Sequence, residues 1–334
     1  MLSPAPSRPP SADEFDAAFA PWRARRILLA VSGGPDSMAL AAAAVEWRRR
    51  APGPPLALAI VDHGLRPGSR VEAQDAARRC AALGLPACIL EWRGDKPAAA
   101  LQEHARAARY ALLVEAAREA GAQIVMTAHH ADDQAETILF RLLRGSGPAG
   151  LAGMGSSTLR DGIEIARPFL AFPKARLVAF LAARGIDFAR DPSNENPHFA
   201  RARLRTLAPL LAAEGGDAAL FARLARRIRR VEAALEAAAE TARRDVARDG
   251  GFDAGAFFAL PQELRLRLLR AALAEIDAAA PRLDRLEALE ERLAVAHGEA
   301  RSARLTLAGA LVDLRGDRLT LRPAPPRRPE TRGP

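Results

Sequence analysis

The chain has 334 residues, 49% of them hydrophobic but only 5% aromatic, so it can fill two ordinary domains packed mainly by Ala and Leu. Its 49 Lys and Arg against 40 Asp and Glu give a formal charge of +9, which suits a polyanionic partner and equally a plain basic surface. Two cysteines, Cys80 and Cys88, exclude a cysteine-built zinc or iron–sulfur centre and point to a reduced compartment.

Residues 1–20 open on a Pro/Ser-rich stretch and are expected to form a disordered tail; MLSPAPSRPPSADEF has no apolar core of the signal-peptide kind. Residues 27–31 are wholly apolar, as a buried parallel strand would be, and 32–37 make a glycine turn that leads into an Ala-rich helix over 38–47. A second buried strand is expected at 56–61, after the helix stop APGPP, with a polar turn over 62–68. The pattern continues as helix 71–83, strand 87–90, helix 98–119, strand 123–128 and helix 129–143. A glycine-rich loop at 145–155, a strand at 164–169 and a helix at 174–184 follow. Strands and helices alternating in this way predict an α/β fold, a parallel sheet with helices on both faces, over residues 21–212. Residues 213–322 predict a smaller, mainly helical domain, ending in two short strands over 305–322 joined by a Gly-Asp turn, and 323–334 a frayed tail. No apolar run approaches the ~20 residues of a membrane helix, so no membrane contact and a cytoplasmic location are expected.

Three polar clusters, 32–37, 62–66 and 129–136, each follow a strand and therefore share the carboxyl rim, where ligands of such sheets bind. In Ser32, Gly33, Gly34, Pro35, Asp36 and Ser37 the glycines allow a tight turn, and the helix behind it offers free N–H groups to an anion. The plain alternative is a glycine turn that merely starts a helix. Asp36 beside phosphate would need a cation, which implies Mg2+. Asp133 and Glu136 are three apart and share a helix face; Asp36 and Asp133 are the candidate Mg2+ ligands, and Glu136 suits an incoming ammonium. The alternative for this cluster is N-capping by Asp132 and Asp133. His63, in DHGLR, and Arg109, which shares a helix face with Arg106, are the further candidate nucleotide contacts. Arg201, Arg203 and Arg205, and the run Arg223, Arg226, Arg227, Arg229 and Arg230, suit phosphate or simply a solvated surface.

Together the segments SGGPDS at 32–37, VDHGLR at 61–66, HHADDQAET at 129–137 and RLLRGSGPAGLAGM at 141–154 resemble the tRNA(Ile)-lysidine synthetase family of PP-loop ATP pyrophosphatases. RPF at 167–169, DPSN at 191–194 and RARLR at 201–205 extend the match. The resemblance implies that residues 32–37 wrap the phosphates of ATP, with Asp36 and Asp133 near Mg2+. It implies that the C2 oxygen of the wobble cytidine in tRNA(Ile) with a CAU anticodon attacks the α-phosphate, and that the side-chain amine of L-lysine then displaces AMP. Glu136 with Asp133 would orient that amine, His130 would contact the nucleotide or carry a proton, and Arg201 and Arg205 would hold phosphate or stabilise developing charge. A homodimer is a further expectation from the resemblance. The family motif has Asn where this chain has Ala202, which removes any contact made by that side chain. The alternatives are a thiolating PP-loop enzyme acting on tRNA, a PP-loop enzyme of small molecules, and a non-catalytic RNA-binding protein.

Overall fold

The computed structural model describes residues 8–94, 96–97, 101–189 and 200–325. Its first half runs α1 (Ala12–Phe19), β1 (Ile27–Val31), α2 (Pro35–Arg50), β2 (Leu56–Asp62), α3 (Ser69–Ala82), β3 (Cys88–Glu91), α4 (Leu101–Glu119), β4 (Ile124–Met126) and α5 (Ala131–Leu142). Then come α6 (Pro148–Leu151), β5 (Ser157–Arg160), β6 (Ile163–Ala166), α7 (Lys174–Ala182), α8 (Ala200–Ala213) and α9 (Ala218–Val246). The last part comprises β7 (Ala247–Arg248), β8 (Gly251–Asp253), α10 (Ala254–Ala259), α11 (Gln262–Glu275), α12 (Leu283–Gly298), β9 (Ala303–Leu307), β10 (Ala310–Arg315) and β11 (Arg318–Pro323).

The chain divides into two compact units, 1–145 with 150–226 and 146–149 with 227–334. The sequence puts the boundary near 212, whereas this division falls inside α9, which is one unbroken helix. In the first unit six strands lie in the order β3-β2-β1-β4-β6-β5. All pairs are parallel except β5–β6. β1 is buried along its whole length because both faces are covered: Ile27, Leu29 and Val31 join one core, and Leu28 and Ala30 another. That is the strand period of two inside an unbroken apolar run. The chain runs outward from β1 through β2 to β3, then returns to add β4 on β1's other side, so β1 and β4 flank the topological switch point.

The expected 1–20 tail needs correction: α1 is a formed helix, and only residues 1–7 lie outside the described ones at this end. Ser11 caps it and Glu14 reaches back in a capping box. Phe15 and Phe19 are fully buried against Phe169, Phe180 and Trp47, each burial stabilising by roughly 1.5–3 kcal/mol. In the second unit the helices pack on a five-stranded antiparallel sheet ordered β7-β8-β11-β10-β9. The Gly-Asp turn lies between β10 and β11 as expected, but a second turn at Ala308 and Gly309, both with positive φ, splits the preceding segment into two strands. Of the expected 323–334 tail, residues 326–334 lie outside the described ones.

Glu14 also receives two hydrogen bonds from Arg176, at 2.8 and 2.7 Å, tying α1 to α7. Those bonds and the Ser11 N–H hold its carboxyl down to about 2. The folded value lies below the free one, so this stabilisation is complete above the ordinary carboxylate pKa of 4.5 and disappears as pH falls toward about 2. Thermal melts should show Glu14→Gln less stable than the parent chain at neutral pH, with the gap closing in acid and shrinking in salt because the pair is partly exposed. A gap independent of pH would contradict the assignment.

Candidate active site

Ser32–Ser37 leaves β1 and enters α2. Gly33 has φ +85°, and a Cβ there would lie 2.9 Å from Ala76 Cβ, so the turn needs glycine twice over, for conformation and for space. Gly34 caps α2 with no side-chain bond, leaving the first N–H groups of the helix open to an anion. Ser37 Oγ accepts from Ser32 N–H at 3.1 Å, donates to Gly34 O at 3.0 Å and lies 3.2 Å from Ser32 Oγ. Pro35 opens the helix, where its missing N–H costs nothing.

β4 delivers the second group across the switch point. His130, not Asp132 or Asp133, is the N-cap of α5. Asp133, the third residue of the helix, accepts from His130 N–H at 3.0 Å. The alternative of capping by the two aspartates holds in part: Asp133 closes a capping box with His130, whereas Asp132 accepts from Lys174 N–H at 2.8 Å. The His130 ring is buried among carboxylates, with Nε2 3.6 Å from Asp36 and 3.5 Å from Asp133, and Nδ1 3.4 Å from Asp132. Burial alone would lower its pKa, but the bonds to Asp132 and Asp36 and the charges of Asp133 and Asp36 push it up to about 10. An imidazolium cannot accept the long 3.4 Å contact from Asp133 N–H, and with three acids around the ring the charged form wins. Burial works to raise Asp36, yet the bond and charge of His130, then Lys174, leave it lowered.

Glu136 is paired with Arg205 of α8, whose Nε donates at 2.6 Å and Nη2 at 3.4 Å. The bond to Glu136 raises the arginine pKa further. The Arg201 side chain, Ala202 and the 191–194 turn lie outside the described residues. His63 follows β2, its ring perpendicular to Trp92 with centroids 6.3 Å apart, and its Nδ1 is buried without a partner. Burial, then the charge of Arg109, lowers its pKa, and burial lowers that of Arg109 as well. His63 and Arg109 therefore group together, on the α4 side of the sheet, with the neutral His129, pushed down to about 3 by burial and by Arg167, Arg109 and Arg106.

Sequence reasoning missed two features. Gln134 exchanges two 2.6 Å hydrogen bonds with the backbone of Met154, and Arg141 donates to Gly150 O and Gly153 O at 2.8 and 3.0 Å. Those bonds fix the far end of the glycine-rich loop to α5, which gives HHADDQAET and RLLRGSGPAGLAGM a shared structural reason. The other is Lys174, whose Nζ lies 3.5 Å from Asp36 Oδ2; its only sequence cue is a lysine at the start of a helix that follows a rim strand. A cavity of about 460 Å³ beside Trp22, Arg25 and Glu164 is lined by none of the predicted site residues. Its carboxylate is already bound by Trp22 and Arg25.

A PP-loop domain family model matches residues 8–211. A tRNA(Ile)-lysidine synthase of Methylobacterium sp. (strain 4-46) is 51% identical, covering 96% of this chain and 97% of that one. One of Rhodopseudomonas palustris is 49% identical, with coverage of 96% and 97%. The chain belongs to the tRNA(Ile)-lysidine synthase family. Among solved structures, the U34-tRNA thiolase NcsA from Methanococcus maripaludis matches with a TM-score of 0.56 at 16% identity, over 66% of this chain and 77% of that one; at that identity it speaks for the fold alone. Membership in the lysidine synthase family accounts for an ATP-binding loop without the lysine of ordinary P-loops.

Gly33→Ala tests the loop. Strain at a positive φ costs about 1–3 kcal/mol, and the added Cβ crowds Ala76. We expect a melting temperature lower by several degrees and ATP affinity reduced about tenfold or more. Unchanged ATP binding, measured by calorimetry, would remove the loop from the nucleotide site.

Proposed function

We propose that this chain, like the synthases it resembles over almost its full length, joins L-lysine to the wobble cytidine of tRNA(Ile) with a CAU anticodon, using ATP, in the cytoplasm. The observation that carries the reading is the meeting of Asp36, from the anion-binding turn, with Asp133, from the acid-rich helix, on a single point, Nε2 of His130. The cluster holds four carboxylates, Asp36, Asp132, Asp133 and Glu136, against three described cations, His130, Lys174 and Arg205. A polyanionic nucleotide would not settle beside that surplus of acid without a further cation.

The residues fit Mg2+. Asp36 Oδ1 is buried and has no hydrogen-bond partner, and hard carboxylate oxygens are what this ion takes. Asp36 and Asp133 would hold the ion, which supplies charge neutralisation to the phosphates.

In the first step the cytidine C2 oxygen bonds to the α-phosphorus as the bond to the bridging oxygen breaks and pyrophosphate leaves. The α2 N-terminus and the turn at Ser32–Ser37 hold the phosphates in line. In the second, the lysine amine attacks C2 and AMP departs. An amine of ordinary pKa near 10.4 must lose its proton first, so binding has to favour the neutral form, and Glu136 with Asp133 would orient it. Glu136 is bound to Arg205, so the arriving ammonium competes with a guanidinium for that carboxylate. His63 and Arg109 would contact the nucleotide on the other side of the sheet rim.

A thiolation reading lacks its nucleophile. Cys80 is buried against Met38 and pushed up to about 11 by burial, and Cys88 starts β3, at the end of the strand opposite the rim. No helix among the described residues is long and apolar enough to cross a membrane. Arg223, Arg226, Arg227 and Arg230 are exposed at spacings that share one face of α9, with no acidic partner among the described residues; they support contact with the tRNA backbone. Leu220, Leu224 and Val231 are exposed beside them and support a second copy packing on the same helix.

The decisive assay supplies ATP, Mg2+, labelled lysine and unmodified tRNA(Ile), and reads lysine-dependent label in the tRNA; no label refutes the reading. Asp133→Asn keeps an oxygen to accept from His130 N–H, so it should melt like the parent chain while lysine transfer falls by at least about 100-fold. Normal turnover in that variant contradicts a ligand role for Asp133. Replacing the four α9 arginines with Gln should weaken tRNA binding and reduce the slope of log K against log salt by about 2–3. An unchanged slope would place the RNA elsewhere.

A further inference from the structure

The anion-binding turn has no lysine of its own, yet one stands at its mouth. Lys174 is the first residue of α7, immediately after Pro173. Its backbone N–H is fixed by Asp132 at 2.8 Å, and its ammonium lies 3.5 Å from Asp36 Oδ2. Asp132 therefore sets where the helix starts, and the side chain returns from there toward Asp36, the second residue of α2. The base of the side chain is anchored and its head is half-exposed, so the ammonium can change partners without disturbing the fold.

As a salt bridge for its own sake the contact is poor. Asp36 already has the buried His130 beside it, and half-exposed pairs add little to stability. The other carboxylate oxygen of Asp36 is left buried without any hydrogen-bond partner, so the lysine does not complete the environment of the acid. A half-exposed cation beside an incompletely satisfied acid in the first turn of α2, whose N-terminus has no side-chain cap, is arranged to meet an arriving anion.

We propose that Lys174 forms a pyrophosphate subsite, holding the β- and γ-phosphates of ATP and neutralising the pyrophosphate that leaves. The inference rests on the ATP-dependent adenylation described above. In that step the bond between the α-phosphorus and the α–β bridging oxygen breaks, and the electron pair stays on the pyrophosphate. The ammonium answers the charge that grows on that oxygen, as a point cation does for phosphate. AMP carries neither the β- nor the γ-phosphate and would not touch Lys174.

That difference supplies the test. Full-length Lys174→Ala and Lys174→Arg are compared with the parent chain for binding of magnesium pyrophosphate and of AMP by calorimetry, alongside thermal melts. We expect Lys174→Ala to weaken pyrophosphate about 10- to 100-fold while AMP binding and melting temperature hold, and Lys174→Arg to restore most of the loss. Equal pyrophosphate affinity with and without the lysine overturns the proposal. So does an equal loss for AMP and pyrophosphate, which would mean that the lysine only props up the Asp36–Asp132 geometry. Binding of pyrophosphate does not depend on which nucleoside is adenylated. Failure of lysine transfer to tRNA in the parent chain would thus strike the functional reading alone, and an unaltered pyrophosphate affinity beside normal lysine transfer would strike Lys174 alone.

Discussion

Four carboxylates held within reach of one another repel, and the site around His130 exists only because that repulsion is answered. Asp36, Asp132 and Asp133 all lie within 3.6 Å of one imidazole, and two of them also meet Lys174 through its ammonium and its backbone. The sheet makes the convergence unavoidable. β1 and β4 are direct neighbours at the switch point, so the turn after one and the helix cap after the other must share the same rim. Their apolar residues interlock on both faces of the sheet, which fixes the two backbones firmly enough to hold like charges together.

Around that centre, rigidity and freedom are divided by chemistry. Gln134 is buried and satisfied on both ends by Met154, and Arg141 spends its guanidinium on loop carbonyls, so the end of the glycine-rich loop is bound to the same helix that carries Asp133 and Glu136. Gly153, at φ +71°, could not carry a Cβ without striking Gln134 at 2.6 Å. The lysine and arginine heads behave differently. Lys174 and Arg205 are each about half-exposed and hold their acids through flexible side chains, the kind of contact that a ligand can replace.

Much of this was legible in the residues themselves. Strand–turn–helix alternation gave the parallel sheet, and three polar clusters after three strands gave the rim, because backbone geometry dictates both. What was not legible depended on partners distant in sequence. α1 was hidden by the Pro/Ser residues before it, although Phe15 and Phe19 carry the four-residue spacing of a buried helix face. Aspartate is the commoner cap, so nothing local singles out His130 as the cap of α5, and the bond of Asp132 to the start of α7 depends on a partner 42 residues away. β5 and the split of β9 from β10 went unseen since short exposed edge strands lack apolar alternation, and Ala308-Gly309 is an unusual turn pair. The helix period puts Glu136 on the same face as Asp133, but its bond to Arg205, 69 residues away, has no trace in local sequence.

That bond bears on how a single site can serve two successive chemistries. If Glu136 stood free among Asp36, Asp132 and Asp133, a fourth negative charge would oppose the entry of a nucleotide. Paired with Arg205 it is neutralised, and the cluster presents its charge deficit mainly at Asp36 and Asp133, where a metal and phosphates would gather. A lysine ammonium brings the same charge as the guanidinium it would displace, so the exchange leaves the electrostatic balance of the site almost unchanged. On the proposed function, Arg205 once released would face phosphate while Glu136 faces the amine. The pairing would therefore keep Glu136 compensated with or without the amine, so that the charge deficit a metal would meet stays at Asp36 and Asp133.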